Sequence, residues 1–234
     1  MRLAAGIAVL FGFAVPALAE DVVSARYAEP TTRYAHGILG DAIEHGALVM
    51  ETASGRRLRV TLPENRVFED TAPRLFDVDG DGDREVIVVE TDTSLGARLS
   101  VYGPKGLLSS NEFIGQSNRW LSPAGVGAAD LDGDGTVELV YVDRPHLAKT
   151  LRVYRYQPGK MKLVASFPGV TNHRIGESDI AGGIRTCADV PEVIVADAGW
   201  REVLAIRWTG KQFGVKKLAP HRGRASFKAA MTCK

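Results

Sequence analysis

Two short stretches of this chain are nearly the same string. They read Asp77-Val-Asp79-Gly-Asp81-Gly-Asp83-Arg-Glu85-Val and Asp130-Leu-Asp132-Gly-Asp134-Gly-Thr136-Val-Glu138-Leu. Each places acids at positions 1, 3, 5 and 9 of a loop, with glycine at 4 and 6. Alternating carboxylates on a tight glycine loop converge on one point, and converging like charges call for a hard cation among them. The strings begin at residues 77 and 130, so the loop is one part of a unit that recurs after 53 residues.

Each loop leads into a strand-like run. Glu85-Val-Ile-Val-Val-Glu90 and Glu138-Leu-Val-Tyr-Val-Asp143 are short and almost continuously apolar, the pattern of a strand buried on both faces. A second, alternating strand comes next at Leu99–Tyr102 and at Leu151–Tyr156, and Pro158-Gly159 turns into a third at Met161–Phe167. The same order recurs at Glu192–Asp197, Val203–Trp208 and Phe213–Leu218, and upstream at Ala47–Thr52 and Arg57–Leu62. Four units of about 50 residues, each a small antiparallel sheet, predict an all-β chain folded as a small β-propeller of about four blades. Ring closure is expected from Val22–Tyr27 pairing with Ala225–Thr232, which would remove the free edges. The string Asp179-Ile-Ala181-Gly-Gly183 reads as a third loop that has lost two of its three early carboxylates and should not bind calcium.

An EF-hand requires a bidentate Glu at loop position 12 and flanking helices. Position 12 here is Val88 or Tyr141, inside the apolar run. The two loops instead resemble the FG-GAP/VCBS repeat family, the calcium-loop blades of integrin α-subunit-like propellers, in the pattern Asp-x-Asp-Gly-Asp-Gly-x-x-acid before a hydrophobic strand. Here Glu stands at position 9 where that family has Asp. The resemblance implies a propeller with two calcium ions. The ligands it implies are Asp77, Asp79, Asp81, the Asp83 carbonyl and Glu85 in the first loop, and Asp130, Asp132, Asp134, the Thr136 carbonyl and Glu138 in the second. Calcium accepts six to eight oxygens in flexible geometry, so each loop leaves room for water, and magnesium fits less well.

The ends of the chain add context. Met1-Arg2, an apolar run from Leu3 to Val15 and Ala17-Leu-Ala19 make a signal peptide over residues 1–19, too short to span a bilayer. One β-propeller domain is then expected over 20–234, periplasmic or secreted, with no transmembrane segment. Cys187 and Cys233 are the only cysteines, and in an exported chain they are expected to form a disulfide.

Acids and bases balance, 28 to 29, with no basic stripe, so no nucleic-acid partner is expected. No nucleophile elbow or P-loop is present. The histidines His36, His45, His146, His173 and His221 show no ligand spacing and read as surface or loop residues, while Trp120, Trp200 and Trp208 read as packing. Every acid cluster is explained by metal spacing. The function expected is therefore non-catalytic: a structural-calcium repeat protein that engages a protein or carbohydrate partner through its loops. The alternative is a periplasmic hydrolase or lyase with its site at the propeller mouth, which a pocket holding a perturbed carboxylate or histidine would favour, whereas an exposed Trp120 or Trp200 would favour binding.

Overall fold

The computed structural model describes residues 20–233. The first sheet has nine strands. It contains β1 (Val22–Thr31), β2 (Glu44–Thr52), β3 (Arg57–Thr61), β4 (Arg66–Phe68), β5 (Arg74–Phe76), β6 (Glu85–Asp92), β7 (Gly96–Gly103) and β8 (Gly106–Ser110). The second is built from β9 (Leu121–Ala129), β10 (Glu138–Asp143), β11 (Thr150–Arg155) and, after β12 (Gly159–Lys160), which joins β8 of the first sheet, β13 (Lys162–Pro168). The third contains β14 (Val170–Thr171), β15 (Gly183–Cys187), β16 (Val190–Asp197), β17 (Glu202–Trp208) and β18 (Phe213–Pro220), and it is followed by the one helix among the described residues, α1 (Arg224–Ala230). The runs β5-β6-β7-β8, β9-β10-β11-β13 and β15-β16-β17-β18 repeat one antiparallel order. The sheets are curled, one of them into a half-barrel.

Strand periodicity explains why the apolar runs are unbroken. In β6, Val86 and Val88 face one core with Leu48 and Phe68, while Ile87 and Val89 face another with Leu121 and Leu139. In β10, Leu139 and Tyr141 share that second core, and Val140 and Val142 face a third with Val193 and Val195 of β16. Ile194 and Ala196 of β16 then face a fourth. Three sheets thus alternate with four cores, and all residues of β6 and β10 are buried. Truncating a fully buried side chain such as Ile87 or Ile194 to Ala should cost about 2–5 kcal/mol.

The chain is all-β, as its pattern predicts, but its termini differ from expectation. β1 pairs with β2, and residues 224–230 form a helix rather than a closing strand. The physical reason is local: Phe227 and Ala230 lie three residues apart in a stretch of good helix formers, and on a helix they share a face that seals the fourth core. The helix caps that core where a propeller would place another sheet. A disulfide between Cys187 and Cys233 ties the end of the chain to β15. The proposed third loop is also misplaced. The connection between β15 and β16 is the tight turn Ala188-Asp189, both with positive φ, whereas Asp179 lies before β15 and pairs with Arg224. The signal-peptide segment, residues 1–19, lies outside the described residues.

Candidate metal centres

The two acidic loops connect equivalent hairpins, β5 to β6 and β9 to β10. Most of their hydrogen bonds correspond; the Asp134 N–H also donates to Asp130 at 3.1 Å, a bond without a counterpart in the first loop. The Asp77 carboxylate accepts from the Gly80 and Gly82 N–H groups at 2.7 and 3.0 Å, and Asp130 accepts from Gly133 and Gly135 at 2.8 and 2.9 Å. Asp81 accepts from Asp83 N–H, and Asp134 from Thr136 N–H, each at 2.9 Å. Glu85 and Glu138 reach back to the Val78 and Leu131 N–H groups, both at 3.0 Å. Gly80, Gly82, Gly133 and Gly135 all have positive φ, so the loop needs glycine for backbone conformation. Val78 and Leu131 anchor the loops by inserting into cores on either side of the second sheet.

This wiring gathers three carboxylates at each loop. One oxygen each of Asp77, Asp79 and Glu85 lies within 4.8 Å of the others, and the same holds for Asp130, Asp132 and Glu138. Such groups can hold a metal ion. Asp81 and Asp134 lie outside these groups; each accepts from a backbone N–H of its own loop, and Asp134 also pairs with Arg155. Asp83 and Thr136 stand two residues before the strands; the Asp83 Oδ2 atom is buried with no hydrogen-bond partner in the structure. The donor sets are all hard oxygen, which suits calcium chemistry.

The loops differ in counter-charge. Among the described residues, no lysine or arginine forms an ion pair with the acids of the first loop; its Arg84 is bound to Asp21 at 2.7 Å. Burial, with repulsion from Asp79, Asp81 and Asp77, pushes the Glu85 carboxyl up to about 7. At the second loop, Arg155 of β11 reaches Asp132, Asp134 and Glu138 at 3.1, 2.9 and 2.7 Å. Burial still raises Glu138, with the Leu131 N–H and Arg155 pulling in the opposite direction. The Thr136 N–H and, further down, Arg155 hold Asp134 below the usual carboxylate range.

A second constellation lies at the other end of the β9–β10 hairpin. A cavity of about 350 Å³ is lined by His36, Ile38, Trp120, His146, Leu147 and Ile175, with Asn118, Arg119, Arg144 and Pro145. His36 Nδ1 is 2.5 Å from Glu69, a fully buried acid that also accepts from the Thr91 hydroxyl at 2.6 Å. His173 Nε2 donates to the Glu177 carbonyl at 2.8 Å, so its Nδ1 is left to accept from His146 Nε2 at 3.3 Å. Burial, then the neighbouring His173, lowers His146 to about 4, so it is neutral near pH 7. His36, His146 and His173 lie in loops, as the sequence reading has them, but not at the open surface: His173 is fully buried, and His36 and His146 line a cavity. Residues 36, 69, 146 and 173 share no motif, and only the folding of four connections brings them together. Trp120 and Trp208 are buried packing residues, as expected, and Trp200 lies under the Arg174 guanidinium.

The family model for the FG-GAP-like repeat matches residues 77–141, a span that opens at the first acidic loop and ends inside β10. The chain therefore carries an FG-GAP-like repeat, with both loops within the matched span. No curated protein and no solved structure matches the chain. Among the described residues no helix is long and apolar enough to cross a membrane.

Proposed function

We propose that this chain is an exported, non-catalytic FG-GAP/VCBS-type repeat protein, a propeller-like stack of four sheet units over residues 20–234 braced by calcium in its acidic loops. The observation that carries this reading is the duplicated loop, with three carboxylates at each site, each reached by a backbone N–H at the corresponding position of both loops. Calcium acts as a staple at the start of β6 and β10. A ligand that binds only the folded state stabilises it by about 2.7 kcal/mol at a hundredfold excess over its dissociation constant. Recognition of a protein or carbohydrate partner falls to the opposite end of the same strands. There Ile175 and Leu147, exposed by 70% and 63%, stand beside the cavity. Exposed apolar side chains around a concavity mark interaction sites. Thermal melting in calcium and in chelator tests the staple: a higher melting temperature in calcium is expected, and identical curves would refute it.

One observation favours a second reading, a hydrolase or lyase. The His36 imidazole is oriented by a buried glutamate at the wall of a cavity, the arrangement that suits a general base. Assay of the purified protein against simple esters and glycosides, with His36→Ala as the control, tests it. Turnover that disappears in the variant supports an enzyme; no turnover by the parent protein removes this reading.

A further inference from the structure

We infer that Arg155 is a built-in cation of the second loop, so that the two near-identical loops differ in metal affinity: residues 77–85 form the tight site and residues 130–138 a site in which calcium must displace a guanidinium. This inference rests on the metal reading above and extends it.

The Arg155 guanidinium is within ion-pair distance of the acids at loop positions 3, 5 and 9, Asp132, Asp134 and Glu138. Two of these, Asp132 and Glu138, belong to the three-carboxylate group itself. A divalent ion entering that group and the guanidinium therefore compete for the same oxygens. The arginine is held in place: its Nε donates to Glu138 Oε1 at 2.8 Å, and its Cζ lies 6.0 Å from the centre of the Trp208 ring in the next unit. Its side chain is only partly buried, so it can swing out to solvent.

Strand register explains why the first loop has no such group. Glu138 lies opposite Arg155 in the β10–β11 pair. In the β6–β7 pair Val86 lies opposite Tyr102, which puts Gly103 opposite Glu85. A Cβ at Gly103 would approach Leu108 Cδ1 to 2.7 Å, so a longer side chain there would require Leu108 to shift. The one arginine within the first loop, Arg84, is clamped by both carboxylate oxygens of Asp21. The first loop thus keeps its negative charge uncompensated.

Calcium titration of the metal-free protein by calorimetry, for the parent chain, Arg155→Met and Arg155→Lys, tests the inference. The parent chain should bind two ions in two steps at least tenfold apart in affinity. Arg155→Met should tighten the weaker step at least tenfold and leave the stronger one unchanged, while Arg155→Lys, which keeps the charge, should resemble the parent. Asp79→Asn should remove the stronger step alone. Two equal sites in the parent chain, or an Arg155→Met titration matching it, would overturn the role of Arg155 while leaving calcium binding intact. No calcium uptake by any of these proteins would overturn the metal reading and this inference together. Should Arg155→Met fold poorly by circular dichroism, Arg155→Gln is the substitute, with the same tightening expected and an unchanged weaker step counting against the inference.

Discussion

The loops at 77–85 and 130–138 share a sequence pattern, a backbone path and a set of hydrogen bonds, yet they stand in different electrostatic surroundings. The first faces a glycine across the sheet and the second an arginine. A loop motif fixes where carboxylates point; the strand beside it fixes how much of their charge remains for a metal. The contrast extends to β2, which begins at Glu44 as β6 begins at Glu85 and β10 at Glu138. Glu44 has neither an acidic loop nor an arginine. Burial, with Glu69, Asp41 and Asp70 nearby, raises its carboxyl to about 9, so that it is protonated near neutral pH. Three strands thus begin with a glutamate whose charge is met by a proposed metal ion, by an arginine or by a proton.

Each part of this contrast can be broken separately. The largest effect is expected from Cys187→Ser, which opens a closure of 46 residues. The chain-entropy relation puts the loss at about 4 kcal/mol. Denaturant unfolding should show it, and calcium binding to the first loop, remote from α1, should survive.

Next comes the metal. Asp79→Asn should remove most of the calcium-dependent rise in melting temperature. At a hundredfold excess of calcium over the dissociation constant that rise is worth about 2.7 kcal/mol, or roughly 2–4 °C per kcal/mol for a domain of this size. Asp132→Asn should remove much less. Equal losses from the two substitutions would mean that the loops are equivalent.

Glu44 gives a pH-dependent effect, smaller than either only when counted per pH unit. Its carboxyl is raised in the folded state, so its contribution is fully present below the ordinary glutamate range and is lost as pH rises through about 9. The slope approaches about 1.4 kcal/mol per pH unit at its steepest. Chemical denaturation between about pH 6 and 9 should show stability falling in the parent chain and a flatter profile in Glu44→Gln. An unchanged slope would mean that Glu44 is ionised in the fold.

The smallest effect is expected from Asp21→Asn. It frees Arg84 beside the first loop and should weaken calcium binding there slightly, more at low ionic strength than at high. No change at low salt would show that the Asp21 clamp does not matter to the site.

Much of this was legible in the sequence. The strands β6, β10, β16 and β17 announce themselves by β-branched runs, and the loops by acid and glycine spacing. β9 does not, because Leu121-Ser-Pro-Ala-Gly-Val-Gly-Ala-Ala129 is composed of small residues and glycines with little strand preference. The end of the chain reads as a strand until its apolar residues are placed on the fourth core, where a helix seals it. The cavity histidines and Arg155 were not legible. Arg155 stands 17 residues after Glu138, and only the register of β10 on β11 makes them neighbours. Burial-driven effects such as the protonation of Glu44 likewise belong to the fold rather than to any local pattern.

The central claim, that the acidic loops hold calcium and fill unequally, is tested most directly by anomalous-difference density from crystals soaked in limiting and then in excess calcium. The prediction is a peak among Asp77, Asp79 and Glu85 at limiting calcium, joined by one among Asp130, Asp132 and Glu138, with Arg155 displaced, only in excess. No peak at either loop in excess calcium would contradict it.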